Sequence, residues 1–463
     1  GMLLYTQREF KNNVLPSRNQ GLSGRATYDY DQRYLFEFNF GYNGTERLGK
    51  GDRFEFFPAV SLGWLVSNEK FFEPLSDVVS SLKLRGSYGL VGSDETGPSN
   101  APHFLYIDQV QVTGNGRPGF TTGENLNVSY YGPVVQQWAV QNGGWERVKK
   151  LDVGFDMELF RELSITFDFF YDKRYNILLH REAWPQSLGF HEAKPWSNKG
   201  KVDNWGYEVS TNWRKQFTKD LTVDFRGTFT YTQNKYIDVD EPIYPYVWQT
   251  ATGKPLNRRN GYIAEGLFQS QEEIDNSPTQ NLGSKPMPGD IKYRDVDGNG
   301  VIDSKDQVMI SKTANMPRIQ YGFGVNIDWK RFNFGVFFNG SAMRDINING
   351  LHPFGQNDYN AMKFVAENRW TEANPNPNAE YPRLGLNDSQ MSNNSQSSTY
   401  WIRNGNFLRF KTLEIGYRFD HVRLYFTGNN LAVFSPFKLW DPELGWNSYP
   451  LQRTFCIGAQ LSF

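Results

Sequence analysis

Apolar and polar residues alternate along much of this chain with a period of two. Over residues 34–42, Tyr34, Phe36, Phe38, Phe40 and Tyr42 share one face, and Leu35, Glu37, Asn39 and Gly41 the other. Residues 151–159 set Leu151, Val153, Phe155, Met157 and Leu159 against Asp152, Gly154, Asp156 and Glu158. The same division recurs over 163–171, 221–231 and 321–329. Successive side chains of a strand point to opposite faces, so each segment predicts a two-faced β-strand. Further strands are predicted near 3–10, 18–30, 53–66, 81–92, 198–215, 257–271, 332–345, 400–419, 421–434 and 453–463. That makes roughly fifteen, most of about ten residues or longer, which is the length of a tilted membrane-crossing strand. Strands of soluble sheets are usually shorter, about 5–6 residues.

The predicted connections alternate in length. Asp31-Gln32, Lys330-Arg331 and Asp420-His421 are tight turns, whereas 93–144, 272–317 and 346–399 are long, polar and rich in Gly, Asn and Pro. Outer-membrane barrels show this asymmetry, with short periplasmic turns and long extracellular loops. The polar faces carry charge in mid-strand at Lys83, Arg85, Asp152, Asp156, Glu158 and Arg226, as a wet lumen allows. Aromatics gather at strand ends, among them Tyr30, Tyr34, Trp64, Tyr171, Tyr231 and Trp329, in the manner of interfacial girdles. The predicted fold class is therefore all-β, an antiparallel transmembrane β-barrel. The last predicted strand ends on Phe463, a terminal aromatic of the kind bacterial barrels carry.

Composition narrows the classes further. Aromatic residues make up 16% of the 463 residues and hydrophobic residues 38%. Mean hydropathy is −0.62, and no apolar run approaches the roughly 20 residues of a membrane helix. A barrel remains, because each of its strands is only half apolar. Lys+Arg 49 against Asp+Glu 50 gives net charge −1, without the basic footprint of a nucleic-acid binder. The single Cys456 removes an intrachain disulfide framework and a Cys-rich zinc site. Five scattered histidines form no metal-ligand pair. The start shows no signal-peptide pattern, so an N-terminal portion is expected to be missing from this chain.

Motifs from end to end carry a resemblance. They include Gly24-Arg25-Ala26-Thr27-Tyr28-Asp29-Tyr30, Phe57-Pro58-Ala59-Val60-Ser61-Leu62-Gly63-Trp64 and Leu82-Lys83-Leu84-Arg85-Gly86-Ser87-Tyr88-Gly89. Later come Pro288-Gly289-Asp290-Ile291-Lys292-Tyr293-Arg294-Asp295, Tyr381-Pro382-Arg383-Leu384, Phe407-Leu408-Arg409-Phe410-Lys411 and Asp441-Pro442-Glu443. In this order they resemble the SusC/RagA family of TonB-linked outer-membrane proteins of Bacteroidetes. The resemblance implies the C-terminal part of a 22-stranded TonB-dependent transporter barrel, with residues 1–463 as barrel and the plug domain absent from this chain. It also implies a Gram-negative outer membrane, a SusD-like surface lipoprotein as partner, energy from TonB, and an oligosaccharide or peptide as cargo. Residues 1–463 lack the plug, the TonB box and the early strands that the family pattern includes.

Candidate chemistry is sparse, and the expectation is a transporter rather than an enzyme. Residues 295–306 fit a calcium loop, with oxygen ligands from Asp295, Asp297, Asn299, Asp303 and Asp306, the backbone carbonyl of Val301, and Gly300 among the turn residues. Asp306 stands where glutamate is usual, and a hydrogen-bonded Asx/Gly turn without metal is the other reading. Trp138, Trp184, Trp196, Tyr244, Tyr246 and Trp248 lie in predicted loops and could stack on sugar rings; packing of the loops or contact with the lipoprotein is the alternative. Trp145 is a further candidate of the same kind. Residues 114–119 match G-x-G-x-x-G but read as a loop, since Pro118 interrupts any helix start. Carboxylates such as Asp152 with Asp156, or Asp168 with Asp172, read as a solvated wall rather than an acid–base pair. A carbohydrate-binding β-sandwich and a diffusive porin are the competing classes, and a surface glycosidase is disfavoured because no acid pair stands out. The first would bury its apolar faces and need no detergent; the second would conduct without a plug.

Overall fold

A computed structural model of the chain describes residues 1–11, 16–95, 104–112, 120–130, 132–140, 143–184, 195–314, 316–349, 361–385, 388–444 and 448–462. Among these residues, fourteen strands pair in sequence order in one antiparallel sheet. They are β1 (Met2–Phe10), β2 (Ser17–Tyr30), β3 (Tyr34–Thr45), β4 (Phe54–Leu65), β5 (Val79–Ser93), β6 (Glu146–Leu159) and β7 (Leu163–His180). The rest are β8 (Trp196–Thr218), β9 (Leu221–Asp238), β10 (Ile319–Trp329), β11 (Phe332–Ala342), β12 (Phe407–Arg418), β13 (Val422–Phe434) and β14 (Thr454–Leu461). Among the described residues no helix is long and apolar enough to cross a membrane. Phe463, residues 114–119, His103, His191 and His352 lie outside the described residues.

One predicted strand is corrected. Residues 257–271 contribute no strand to the fourteen-stranded sheet; Arg259–Gly261 and Ala264–Leu267 pair with Val308–Ser311 and Ile291–Tyr293 in two small sheets inside the β9–β10 connection. Their apolar residues Tyr262 and Leu267 are buried in a local core instead of alternating across a sheet.

Register explains the two faces. Phe36, Leu62, Gly86, Val153 and Phe169 form one row across β3 to β7. The adjacent inward row sets Glu37 beside Ser61, Ser61 beside Ser87, and Ser87 beside Asp152. The apolar row is open to the surroundings: Phe36 is 42% exposed, Leu62 61% and Val153 48%. Trp329, Phe332 and Ile457 are likewise exposed on β10, β11 and β14. A sandwich would press these faces together in a dry interior. Left open, they match a wall that meets hydrocarbon.

The tight turns have the backbone that their length demands. Asp31 and Gln32 both lie in the left-handed region (φ 55° and 50°), as do Phe160 and Arg161 (φ 55° and 56°). Two such residues match the right-handed twist of the flanking strands. Asp29 Oδ1 accepts the Gln32 N–H at 2.8 Å and fixes the first of these turns. Beside it, Tyr34 stacks on Trp64 with centroids 6.5 Å apart, and both donate to Glu69, at 2.7 and 3.1 Å. Trp329, Phe332, Tyr417 and Phe419 make a comparable chain of ring contacts.

The chain divides into two compact units, one of Gly1–Glu208, Thr232–Ile243 and Ala251–Gly253, the other of Val209–Tyr231, Tyr244–Thr250 and Lys254–Phe463. In the first, Leu48, Phe57, Leu105, Val140, Trp145, Leu178 and Trp196 form a core. In the second, the long connections fold on themselves. Ile291, Ile302, Ile348, Val365, Met391 and Trp401 are each at most 1% exposed, in one apolar cluster.

Candidate functional site

The 295–306 segment is a chain of side chain-to-backbone hydrogen bonds. Asp295 accepts from the N–H groups of Gly298 and Gly300, both at 2.8 Å. Asp297 accepts from Asn299 N–H at 3.1 Å, and Asn299 from Val301 N–H at 2.7 Å. Gly298 and Gly300 have φ of 74° and 82°, a conformation that glycine adopts without strain. Asp306 is fully buried and accepts from the N–H groups of Val296 (2.7 Å) and Asp303 (2.8 Å). Asp303 caps the short helix Ser304–Asp306 in a capping box with Asp306. Burial pushes the Asp295 carboxyl up, but the backbone donors of Gly300 and Gly298 outweigh it and hold it below the usual carboxylate range.

The fit to calcium is partial. Oxygens of Asp295, Asp297 and Asp306 lie within 4.8 Å of one another, and calcium–oxygen distances of about 2.3–2.6 Å would let one ion touch all three. Asp303 is outside this group; its carboxylate is engaged by Lys305, at 2.7 Å from the backbone N–H and 3.7 Å from the ammonium. Val301 sits in the short strand Val301–Ile302, which pairs with Thr279–Gln280.

The structure joins two motifs that are about fifty residues apart in sequence. The rings of Tyr246 and Trp248 stack at 4.5 Å and 7°. Trp248 Nε1 donates to the Lys305 carbonyl at 2.7 Å. The Tyr246 hydroxyl donates to Asp297, which lifts the phenol above its ordinary pKa. Two of the aromatic candidates thus clamp the acidic loop. Tyr244 beside them is 39% exposed.

The other tryptophans divide. Trp138 is 41% exposed. Trp184 lies under the Arg181 guanidinium at 5.8 Å, and Arg181 pairs with Asp240. Trp196 is corrected as a ring-stacking candidate: it is 8% exposed, belongs to the first unit's core and faces the His180 ring at 3.6 Å. Trp145 is buried too, with Nε1 donating to the Arg53 carbonyl at 3.2 Å.

On the inward face, Arg85 gathers Asp152 at 3.5 Å, Asp156 at 3.2 Å and Asp168 at 2.7 Å. Gly154 lies beside it in register, and a Cβ there would collide with the Phe167 carbonyl and the Asp168 carboxylate. Period two marked these charges, but not that three carboxylates share one guanidinium.

Sequence reading also missed the polar frame of the long connections. Asp290, Asn393 and Asn394 are fully buried. Asp290 pairs with Arg383 at 2.6 Å and accepts from Asn394 at 2.8 Å. Asn393 accepts from Gln280, whose carbonyl accepts the Tyr293 N–H at 2.6 Å. Gly289, with φ of 88°, packs so closely under Trp370 that a Cβ would overlap the indole. The Pro288-Gly289-Asp290 and Tyr381-Pro382-Arg383 motifs are two halves of this one joint.

Exposed apolar strand faces, charged inward faces and aromatic strand ends define the class: an outer-membrane β-barrel protein. No family model matches the chain. TonB-dependent receptor P26 of Formosa agariphila is 27% identical over 97% of this chain and 47% of its own length. TonB-dependent receptor SusC of Bacteroides thetaiotaomicron is 27% identical over 95% and 43%. The solved structure of the RagAB peptide transporter superposes over 97% of this chain and 48% of that one, with TM-score 0.72 and 20% identity. In particular, then, the chain is similar in sequence to the TonB-dependent receptors P26 and SusC over nearly its whole length, and in fold to the RagAB transporter, and it spans less than half the length of these relatives.

Proposed function

We propose that the chain supplies barrel wall and outer loops to a TonB-dependent importer of nutrient, an oligosaccharide or a peptide. The tight turns face the periplasm, and the segments around 93–144, 272–317 and 346–399 face outside. A plug domain, TonB and a SusD-like surface lipoprotein complete the device, and outer-membrane lipid surrounds the wall. The reading is carried by the match to SusC over 95% of the chain, which agrees with the open apolar face of the sheet. The inward charges hold a hydrated wall, and cargo is recognised at the packed outer connections. Tyr244, Tyr246, Trp248, Trp138 and Trp184 are the aromatic surfaces for it there. Trp248→Ala in the whole transporter is expected to weaken cargo binding about tenfold or more. Isothermal titration with the cargo checks this, with heat-modified electrophoretic mobility as the folding control; unchanged affinity contradicts the assignment.

A second reading concerns the acidic loop, and the three converging carboxylates favour it. Asp295, Asp297 and Asp306 hold calcium, with Asn299, Asp303 and the Val301 carbonyl as further ligands after a small rearrangement. Millimolar calcium is then expected to give binding heat that Asp297→Asn reduces. Absence of heat leaves the loop as a hydrogen-bonded turn.

A further inference from the structure

The outward face of β3 to β7 is not a flat wall. In the row Phe36, Leu62, Gly86, Val153 and Phe169, the central residue has no side chain. The next row toward the tight turns is Tyr34, Trp64, Leu84, Phe155 and Phe167, and the row on the other side includes Tyr88. Gly86 is thus a dent with large side chains on four sides. The resulting concavity measures about 690 Å³ and is almost wholly apolar, with Leu62, Leu84, Val153 and Phe155 among its walls. Tyr30, Tyr34 and Trp64 line its rim nearest the tight turns, and Tyr28 extends the Gly86 row onto β2.

We propose that this trough holds one acyl chain of a membrane glycerophospholipid, with its head group at the tyrosine rim. Three observations select that occupant. The trough lies on the face that meets hydrocarbon. Its long apolar floor ends at a belt of aromatic side chains with polar tips, the arrangement that suits the boundary between acyl chains and head groups. And Glu69 already engages Tyr34 and Trp64, so this rim is fixed before any lipid arrives. A chain in a trough touches protein on several sides, where one on a flat wall touches it on one, so it gains more dispersion contact and exchanges more slowly. Choosing a phospholipid over lipid A rests on the orientation proposed above, which places the tight turns and this rim in the inner leaflet.

The test is native mass spectrometry of the whole transporter, extracted from its own membrane in mild detergent, with the retained lipid identified after release. The wild type is expected to keep about one phospholipid per chain at this site. Gly86→Phe fills the dent, and the strand tolerates it: a Cβ at Gly86 meets only the Asp152 carbonyl at 3.8 Å and Val153 at 4.0 Å. That variant is expected to lose the lipid about fivefold or more. Val153→Trp, which narrows the trough from its side, should do the same and serves if Gly86→Phe fails to assemble. Ile415→Phe, on an exposed position of β12 away from the trough, should keep the wild-type load. Equal retention by Gly86→Phe and Val153→Trp, or no retained lipid in the wild type, overturns the proposal alone. Retained lipid A in place of phospholipid overturns it together with the orientation.

Discussion

Arg409→Ala is expected to cost about 3–5 kcal/mol of local stability, because it empties a buried site and leaves the largely covered Asp441 carboxylate without its cation. Arg409 is 1% exposed. Its Nη2 donates to both oxygens of Asp441, at 2.7 and 2.9 Å, and its Nε reaches Glu443 at 3.1 Å. This pins the β13–β14 connection to the start of β12. The same connection is held by Arg344, which donates to the Glu443 carbonyl. Hydrogen exchange across residues 435–444 should quicken sharply in the variant while the mid-strand amides of β12 and β13 stay protected. Arg409→Lys keeps the charge but loses the planar fork, and should fall between the two. Unchanged exchange in Arg409→Ala would show that the clamp holds nothing.

The second large effect is expected from Trp401→Ala, again about 3–5 kcal/mol, through the cavity it leaves. Trp401 is fully buried in the cluster of the long connections. Its Nε1 also donates to the Asn394 carbonyl at 2.8 Å, and Asn394 holds both Asp290 and the Ile291 N–H. The variant therefore loosens the apolar core and the polar frame together. Limited proteolysis should cut within 254–318 and 361–406 before it touches the sheet strands. Trp401→Phe refills most of the volume and loses mainly the hydrogen bond, so about 1–2 kcal/mol is expected. Equal protease resistance in all three proteins would contradict the packed-core description.

The strands were legible because their pattern is local. Tyr34 to Tyr42 alternates residue by residue, and the side-chain period of a strand is itself two, so the face assignment needs no tertiary information. The failure at 257–271 has the opposite cause. There the apolar residues answer to a core assembled from 262, 291, 348 and 401, and no window of ten residues contains that core. The same limit hid the candidate site. Asp295 to Asp306 was readable as a loop from its spacing, and Tyr246 and Trp248 were readable as aromatics. That Tyr246 donates to Asp297 and Trp248 to the Lys305 carbonyl is a tertiary fact. Trp196 was misassigned for a related reason: a tryptophan in a polar stretch looks available until Leu178 and His180 close over it. The motifs behind the family resemblance gain physical content as well. Asp290 with Arg383 ties two long connections together, and Arg409 with Asp441 ties a connection to a strand.

The description rests most heavily on which way the two faces of each strand point, and β3 tests it directly. Cys456, the one native cysteine, is first replaced by serine, and single cysteines are then placed at positions 36 to 40 of the whole transporter in lipid. Each is labelled with a nitroxide, and its relaxation is measured with oxygen, which partitions into hydrocarbon, and with a water-soluble nickel chelate. Positions 36, 38 and 40 should respond to oxygen, and 37 and 39 to the chelate, in strict alternation. Chelate access at 36, 38 and 40, or no alternation at all, would contradict a wall with hydrocarbon on one side and water on the other.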